Sequence, residues 1–239
     1  MLGANKKKSQ LNQFWFQGPR DDVQLSPQHD RTILCLDILA DKVVTGSADH
    51  GLRVYSLKSG KCLRNLYTKN FGHHDWVTSC KFLQDGRVWS AGMDNQLCLW
   101  DSKVLRCQTL TGHNSTISKI DVDGSNCGIS ASYDASLLVW NLDRIECSQG
   151  LFNAHKDAVV EFAWQNSLCV SGDRTGHMAI WDINQGQALR TMSGAHSGAV
   201  SKIIFFSDGG SNNVILSAGQ KDGCLVAHDM RSMTPVFKK

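Results

Sequence analysis

No stretch of this sequence approaches the roughly 18 consecutive apolar residues that a membrane-spanning helix needs. No apolar run follows Lys6-Lys7-Lys8 near the start, so a secretory signal peptide is not expected either. Neither sign of charge is in excess: 25 basic residues against 22 acidic leave +3, too little to point to nucleic acid by itself. The nine cysteines include no Cys-x-x-Cys pair and are spread along the chain, which argues against a zinc site. Nothing resembles a phosphate-cradling loop, a nucleophile elbow or a cluster of metal ligands. No cofactor, metal or enzymatic activity is therefore expected.

What is present is ordinary for a soluble protein: 239 residues, 41% hydrophobic, 20% charged and only 3 prolines. That length suffices for a sizeable core in one all-β domain. Cys35, Cys80, Cys98 and Cys169 lie inside strand-like runs, where cysteine behaves as a small hydrophobe. Nine cysteines without a secretion signal point to a reducing, intracellular setting, cytoplasmic or nuclear.

The chain repeats itself, and the repeat decides the fold. Leu97-Cys98-Leu99-Trp100-Asp101, Leu137-Leu138-Val139-Trp140-Asn141 and Met178-Ala179-Ile180-Trp181-Asp182 share one pattern. Leu52-Arg53-Val54-Tyr55-Ser56 follows it with Tyr in the Trp place, and Leu225-Val226-Ala227-His228-Asp229 with His. Positions 55, 100, 140, 181 and 228 are 45, 40, 41 and 47 residues apart. A histidine recurs upstream of each, as His29, His73, His113, His155 and His196, preceded by Gly or Ala in the last four. Six residues before the Trp place stands Asp49, Asp94, Asp134 or Asp222, with Thr175 in the fourth repeat. Short β-rich runs bounded by Gly, Asp, Asn and Ser fill the intervals.

Gly-His, a small-small-x-Asp step and Trp-Asp, five times in phase over about residues 29 to 229, resemble the WD-repeat family of β-propellers. The resemblance implies an all-β propeller of five recognisable blades over residues 22–239. The repeats fall near 29–56, 72–101, 112–141, 154–182 and 195–229, and residues 1–21 form an N-terminal extension. Each repeat would supply a four-stranded sheet that cannot bury both faces alone, so neighbours must stack. In the family the His, a Ser or Thr, the Asp and the Trp form a buried hydrogen-bonded set. His73, Ser90, Asp94 and Trp100 form one such set, and His113, Ser130, Asp134 and Trp140 another. A His, a Ser and an Asp are also the residue types of a hydrolase triad. Their recurrence at fixed offsets, each with a Trp, reads as framework rather than catalysis.

The departures set further expectations. Tyr55 replaces Trp in the first repeat. The fourth has Thr175 for Asp, with Asp173 two residues earlier, and the fifth has Ala218 for Ser and His228 for Trp. The middle blades should be stiffest and the fifth loosest. Gly209-Gly210-Ser211-Asn212-Asn213 reads as a hairpin loop, Thr234–Lys239 as an outer strand, and Asp22-Val23-Gln24-Leu25 as the strand completing the last blade. Five is an awkward number for a family that typically closes with seven or eight. Three readings stay open: part of a longer propeller, a five-blade ring, or an edge completed by another chain. Phe14-Trp15-Phe16 fits packing along the propeller edge better than a docking motif.

By the same resemblance, partners bind on the narrower face, at positions three and five after the repeat His and just before the Asp. These give Thr32, Leu34 and Ala48, then Trp76, Thr78 and Met93, then Thr116, Ser118 and Tyr133. Blades four and five supply Ala158, Val160 and Arg174, and Ala199, Ser201 and Lys221. Trp76, Met93 and Tyr133 make an apolar-aromatic arc with Arg174 and Lys221 beyond it, and Trp, Tyr and Arg are enriched in interface hot spots. The function expected is a non-catalytic scaffold or adaptor that binds other proteins within a complex. Two alternatives stay open. His228-Asp229-Met230-Arg231 resembles the Trp-Asp-x-Arg of propellers that serve as substrate receptors of cullin-type ubiquitin ligases. An RNA or ribonucleoprotein role is permitted by the lysine-rich ends but lacks a basic stripe interleaved with aromatics, so nucleic acid is not favoured.

Overall fold

The computed structural model of the chain describes residues 24–68, 71–206, 214–232 and 235–238. Residues 1–21, with Lys6-Lys7-Lys8 and Phe14-Trp15-Phe16, lie outside the described residues, as does the loop Gly209–Asn213. The described chain is all-β, five four-stranded antiparallel sheets whose strands pair in sequence order. Among the described residues no helix is long and apolar enough to cross a membrane.

Blade one holds β1 (Ile33–Leu39), β2 (Lys42–Ser47), β3 (Leu52–Ser56) and β4 (Cys62–Leu66). Blade two holds β5 (Val77–Phe82), β6 (Val88–Gly92), β7 (Leu97–Trp100) and β8 (Cys107–Leu110). Blade three is β9 (Ile117–Val122), β10 (Cys127–Ser132), β11 (Leu137–Asn141) and β12 (Glu146–Leu151). Blade four is β13 (Val159–Gln165), β14 (Leu168–Asp173), β15 (Met178–Asp182) and β16 (Gln187–Met192). Blade five is β17 (Val200–Phe206), β18 (Val214–Gly219), β19 (Leu225–Asp229) and β20 (Pro235–Lys238).

Position in the blade explains composition. The second strand of a middle blade has a neighbouring blade on each face, so both faces must be apolar or small, and Val88-Trp89-Ser90-Ala91-Gly92 is buried throughout. Outer strands meet water: Gln187–Thr191 of β16 is exposed along its length. Some contacts are close enough to require glycine. A Cβ on Gly172 would stand 2.6 Å from Val200 Cβ of the next blade.

Successive blades pack through their first strands, β1 on β5, β5 on β9, β9 on β13 and β13 on β17. Four apolar cores result, one at each junction, holding for example Leu52 with Val77, Leu97 with Ile117, Leu137 with Phe162, and Met178 with Val200. Hydroxyls tie two of the same junctions. Thr78 Oγ1 donates to Ile117 O at 2.5 Å, and Ser118 Oγ donates to Val159 O at 2.7 Å.

Among the described residues no fifth core joins blade five to blade one, and the end residues show the consequence. Cys80, Ile120, Phe162 and Ile203 are buried at the place in β5, β9, β13 and β17 that faces the preceding blade, whereas Leu36 in β1 is 62% exposed. Leu52, Leu97, Leu137 and Met178 are buried against the following blade, whereas Leu225 in β19 is 46% exposed. The five blades as described form an open arc.

Of the segment expected as the strand completing the last blade, Asp22 and Val23 lie outside the described residues, and Gln24 and Leu25 are not in a strand. Ser26 pairs with the edge of blade one, its N–H donating to Gly60 O at 2.9 Å while its carbonyl accepts from Cys62 N at 2.9 Å. The outer place in blade five is already taken by β20, which pairs with β19.

Two large apolar faces open to water favour association. The isolated 239-residue chain is therefore expected to bind a hydrophobic dye and to self-associate in light scattering. A monomer at all concentrations with no dye uptake would contradict an open arc.

Candidate functional site

The polar sets come first, because they place the loops. In blade two His73 Nδ1 stands 3.0 Å from Asp94 Oδ1, His73 Nε2 2.9 Å from Ser90 Oγ, and Trp100 Nε1 donates to Ser90 Oγ at 3.0 Å. Blade three repeats this with His113, Asp134, Ser130 and Trp140 at 3.0, 2.7 and 2.8 Å. An indole only donates and a carboxylate only accepts, so the chain of bonds has a direction. Trp gives to Ser and His Nδ1–H gives to Asp, while the Ser oxygen pairs with His Nε2. The Asp also closes its own turn, since Asp134 accepts from the N–H of Asn114 at 2.8 Å and of Ser136 at 3.0 Å. The small residue before the Asp is part of the design: a Cβ on Gly92 would lie 2.5 Å from His73 Nδ1.

Blade four carries the whole set, which counting along the sequence missed. Asp173, not Thr175, meets His155 Nδ1 at 3.0 Å, with Ser171 Oγ 2.6 Å from His155 Nε2 and accepting from Trp181 Nε1 at 2.7 Å. Thr175 keeps the turn position and donates its hydroxyl to Asp173 at 2.8 Å. In blade five the partner of His196 is Ser217 at 2.8 Å rather than Ala218. One extra residue between Ser217 and Asp222 shifts the count, and Asp222 still meets His196 Nδ1 at 3.1 Å. His228 Nε2 lies 3.1 Å from Ser217 Oγ in the indole's place. Blade one substitutes most: His29 meets Asp49 and Thr45, both at 2.8 Å, while Tyr55 donates its hydroxyl to Pro27 O at 2.7 Å.

The carboxylates respond to this surrounding. Burial, the largest single influence, pushes Asp94, Asp134 and Asp173 up, and the His bonds with the turn N–H groups more than reverse it. All three end below the usual range, Asp173 at about 2.

These turns hold the loop face. Met93 N–H donates to Trp76 O, Tyr133 N–H to Thr116 O and Arg174 N–H to Ala158 O, each at 2.9 Å. Trp76 is 41% and Tyr133 44% exposed, and Met93 is half-buried. The Thr78 bond to Ile117 O ties the Trp76 loop to the strand beginning beside Thr116, so the two aromatics stand on adjacent, linked blades. Three expectations change. Thr78 and Ser118 are half-buried struts between blades rather than open contact positions, because their hydroxyls are spent on the next blade's carbonyls. Arg174 is exposed but paired with Asp157 at 2.9 Å. The place equivalent to Tyr133 in blade five is Gln220, whose N–H donates to Ala199 O at 2.8 Å, with Lys221 exposed one residue on.

Elsewhere, His228 of the His228–Arg231 run is buried in the framework, and Arg231 is turned onto Asp229 at 2.7 Å. Among the described residues no group of three His, Cys, Asp or Glu side chains could hold a metal ion. The sequence reading missed two rows of alternating charge on the first strands: Asp37, Lys81 and Asp121, and Lys119, Glu161 and Lys202. Aligning the repeats on their histidines would have shown both, eight and six residues further on.

Comparison with known proteins follows the same lines. Residues 60–101 and 105–141 match the family described as WD domain, G-beta repeat. The chain is similar to Autophagy-related protein 16 of Arabidopsis thaliana, 29% identical over 74% of this chain and 34% of that protein. It is also similar to Nuclear distribution protein PAC1 of Yarrowia lipolytica, 29% identical over 84% and 50%. Mitochondrial division protein 1 of Eremothecium gossypii is 26% identical over 70% and 27%. The chain spans half or less of the length of these relatives. A crystal structure of the computationally designed Ika8 protein superposes with a TM-score of 0.76 at 24% identity, over 89% of this chain and 63% of that one, and shows the fold.

Asp173→Ala is expected to destabilise as much as Asp134→Ala, by about 1–3 kcal/mol, the cost of stranding buried polar partners. Thr175→Ala, which removes the hydroxyl's bonds to Asp173 and His177 and leaves the carboxylate in place, should cost less. Urea unfolding midpoints decide it, and a larger loss from Thr175→Ala would overturn the assignment. The lowered carboxylates also set a pH dependence. Each contributes stability above its unfolded value of 3.8, and the contribution is lost as pH falls through the folded value, about 2 for Asp173. Stability should therefore decline from about pH 5 downward. A midpoint that stayed level from pH 6 to 2 would contradict this.

Proposed function

Since this chain is a WD-repeat protein, we propose that it serves as a non-catalytic scaffold or adaptor subunit, binding protein partners through the loop face of blades two and three. The carrying observation is the exposure of Trp76 and Tyr133 on adjacent, linked blades, above turns that hold their backbones. Their backbones are fixed by buried bonds while their side chains remain in water. An aromatic so placed brings large contact area at little cost in conformational freedom. Met93 beside them supplies an adaptable apolar surface. Arg174 and Lys221 lie beyond the aromatics and act on approach and orientation.

Two further points support binding over chemistry. The His, Ser and Asp side chains that could have been reactive are consumed by one another and by Trp. The relatives' names point to autophagy, nuclear distribution and mitochondrial division. What they share with this chain is therefore better read as a general binding platform than as a step in one process.

Trp76→Ala and Tyr133→Ala should each weaken partner binding by about 2 kcal/mol or more, roughly thirtyfold, without altering the fold. Arg174→Ala and Lys221→Ala should act mainly on the association rate and its salt dependence. Calorimetric titration of a co-purified partner, beside circular dichroism of each variant, measures both. Folded Trp76→Ala and Tyr133→Ala variants that bind undiminished would sink the reading.

A further inference from the structure

The axis-side rows of charge differ in sign. Lys81 Nζ lies 3.6 Å from Asp37 and 3.3 Å from Asp121, one base between two acids. Glu161 Oε1 accepts from Lys119 Nζ at 2.5 Å and from Lys202 Nζ at 3.1 Å, one acid between two bases. The second row, over blades three to five, thus carries one more positive than negative charge, and the first row one more negative than positive.

Its surroundings change in the same place. Eight residues after the repeat histidine, blades one to three have Asp37, Lys81 and Asp121, while blades four and five have Ala163 and Ile204. The surplus charge therefore adjoins an apolar shelf. A cavity of about 410 Å³ lies here, lined by Lys119 and Lys202 on one side and by Trp164, Ile204 and Phe205 on another. Asp121 also borders it, with its carboxylate drawn to Lys81.

The two lysines are held unequally. Lys119 Nζ also donates to Phe162 O at 2.6 Å and sits 4.9 Å over the Phe162 ring, so it is fixed in place. Lys202 has a 60% exposed side chain and gives one of its three N–H groups to Glu161. Ile204 is 46% exposed. Burial, reinforced by Lys202, holds the Lys119 ammonium below its usual range despite Glu161 and Asp121. An incoming anion would relieve that cost.

The cavity is separate from the aromatic loop face. Ala158, which accepts the Arg174 N–H at that face, immediately precedes β13, whereas Trp164 and Gln165 end the strand. Six residue steps put Trp164 about 20 Å from Ala158, and three put Lys119 and Lys202 about 10 Å from Thr116 and Ala199, all on blades other than the one that carries Trp76.

We propose that this cavity receives an acidic–apolar segment of a protein partner, an Asp or Glu carboxylate on Lys202 and Lys119 with a bulky apolar neighbour on Ile204, Phe205 and Trp164. Two ammonium groups that share one Glu161 oxygen keep N–H donors for a further carboxylate, and charge-assisted bonds to it are the strong kind. A bare inorganic anion would leave the apolar shelf in water.

The test begins with a random-peptide library displayed on phage and selected against the intact chain. One enriched peptide is then synthesised, labelled with fluorescein and titrated by anisotropy. Enriched peptides should pair Asp or Glu with Leu, Ile, Phe or Trp. Lys202→Met, Ile204→Ser and exchange of the peptide's acid for its amide should each lower affinity by about tenfold. Both residues are half-exposed, so unfolding midpoints should hold, and Trp76→Ala should bind as the parent does. No enrichment, enrichment of basic or purely apolar peptides, or undiminished binding by Lys202→Met would overturn the proposal. So would loss of binding in Trp76→Ala, or displacement of the peptide by an equal concentration of inorganic phosphate.

Discussion

An ionised carboxylate is tolerated at a buried blade edge only where donors meet its oxygens, and each blade is arranged to meet them. The histidine bridges that carboxylate to a hydroxyl on the second strand, and in blades two to four an indole on the third strand completes the hydroxyl's bonding. Three strands and two loops are thereby locked by side chains that all lie inside. The small residues beside them leave the room the histidine and carboxylate need, as the Gly92 contact shows. The loop conformation at the face follows from this bonding, so the position of Trp76 and Tyr133 is a consequence of chemistry buried beneath them.

Stacking supplies what the bonds do not. A four-stranded sheet has two faces and can cover neither alone. Each junction therefore carries its own apolar core, and two carry a hydroxyl strut as well. The same rule predicts trouble at the ends of the arc, and Leu36 and Leu225 stand exposed where their counterparts are buried. The two binding surfaces we propose have separate origins: aromatic loops above the junctions, and a mismatch of charge between the rows on the first strands.

The repeats were legible because their marks are spaced by whole blades, and the phase of five histidines and five Trp places fixed five sheets. Errors arose where spacing within a blade varied. Asp173 reaches the histidine from two residues early because a side chain, unlike the backbone turn, is free to fold back. One extra residue in the last hairpin moved Ser217 and Gln220 away from where counting put Ser and Lys221. Thr78 and Ser118 looked exposed in sequence because nothing along the chain reveals the next blade's carbonyl. The charge rows were hidden for the same reason, since each of their members belongs to a different repeat.

Hydrogen exchange in the intact chain tests most directly whether the polar sets are framework. The amides of His74, Asn114 and Ser136 belong to loops, and only bonds to the Asp94 and Asp134 carboxylates hold them. The account predicts that they exchange as slowly as the strand amides of β6 and β10. Exchange at the rate of an unstructured chain, with those strands still protected, would contradict it.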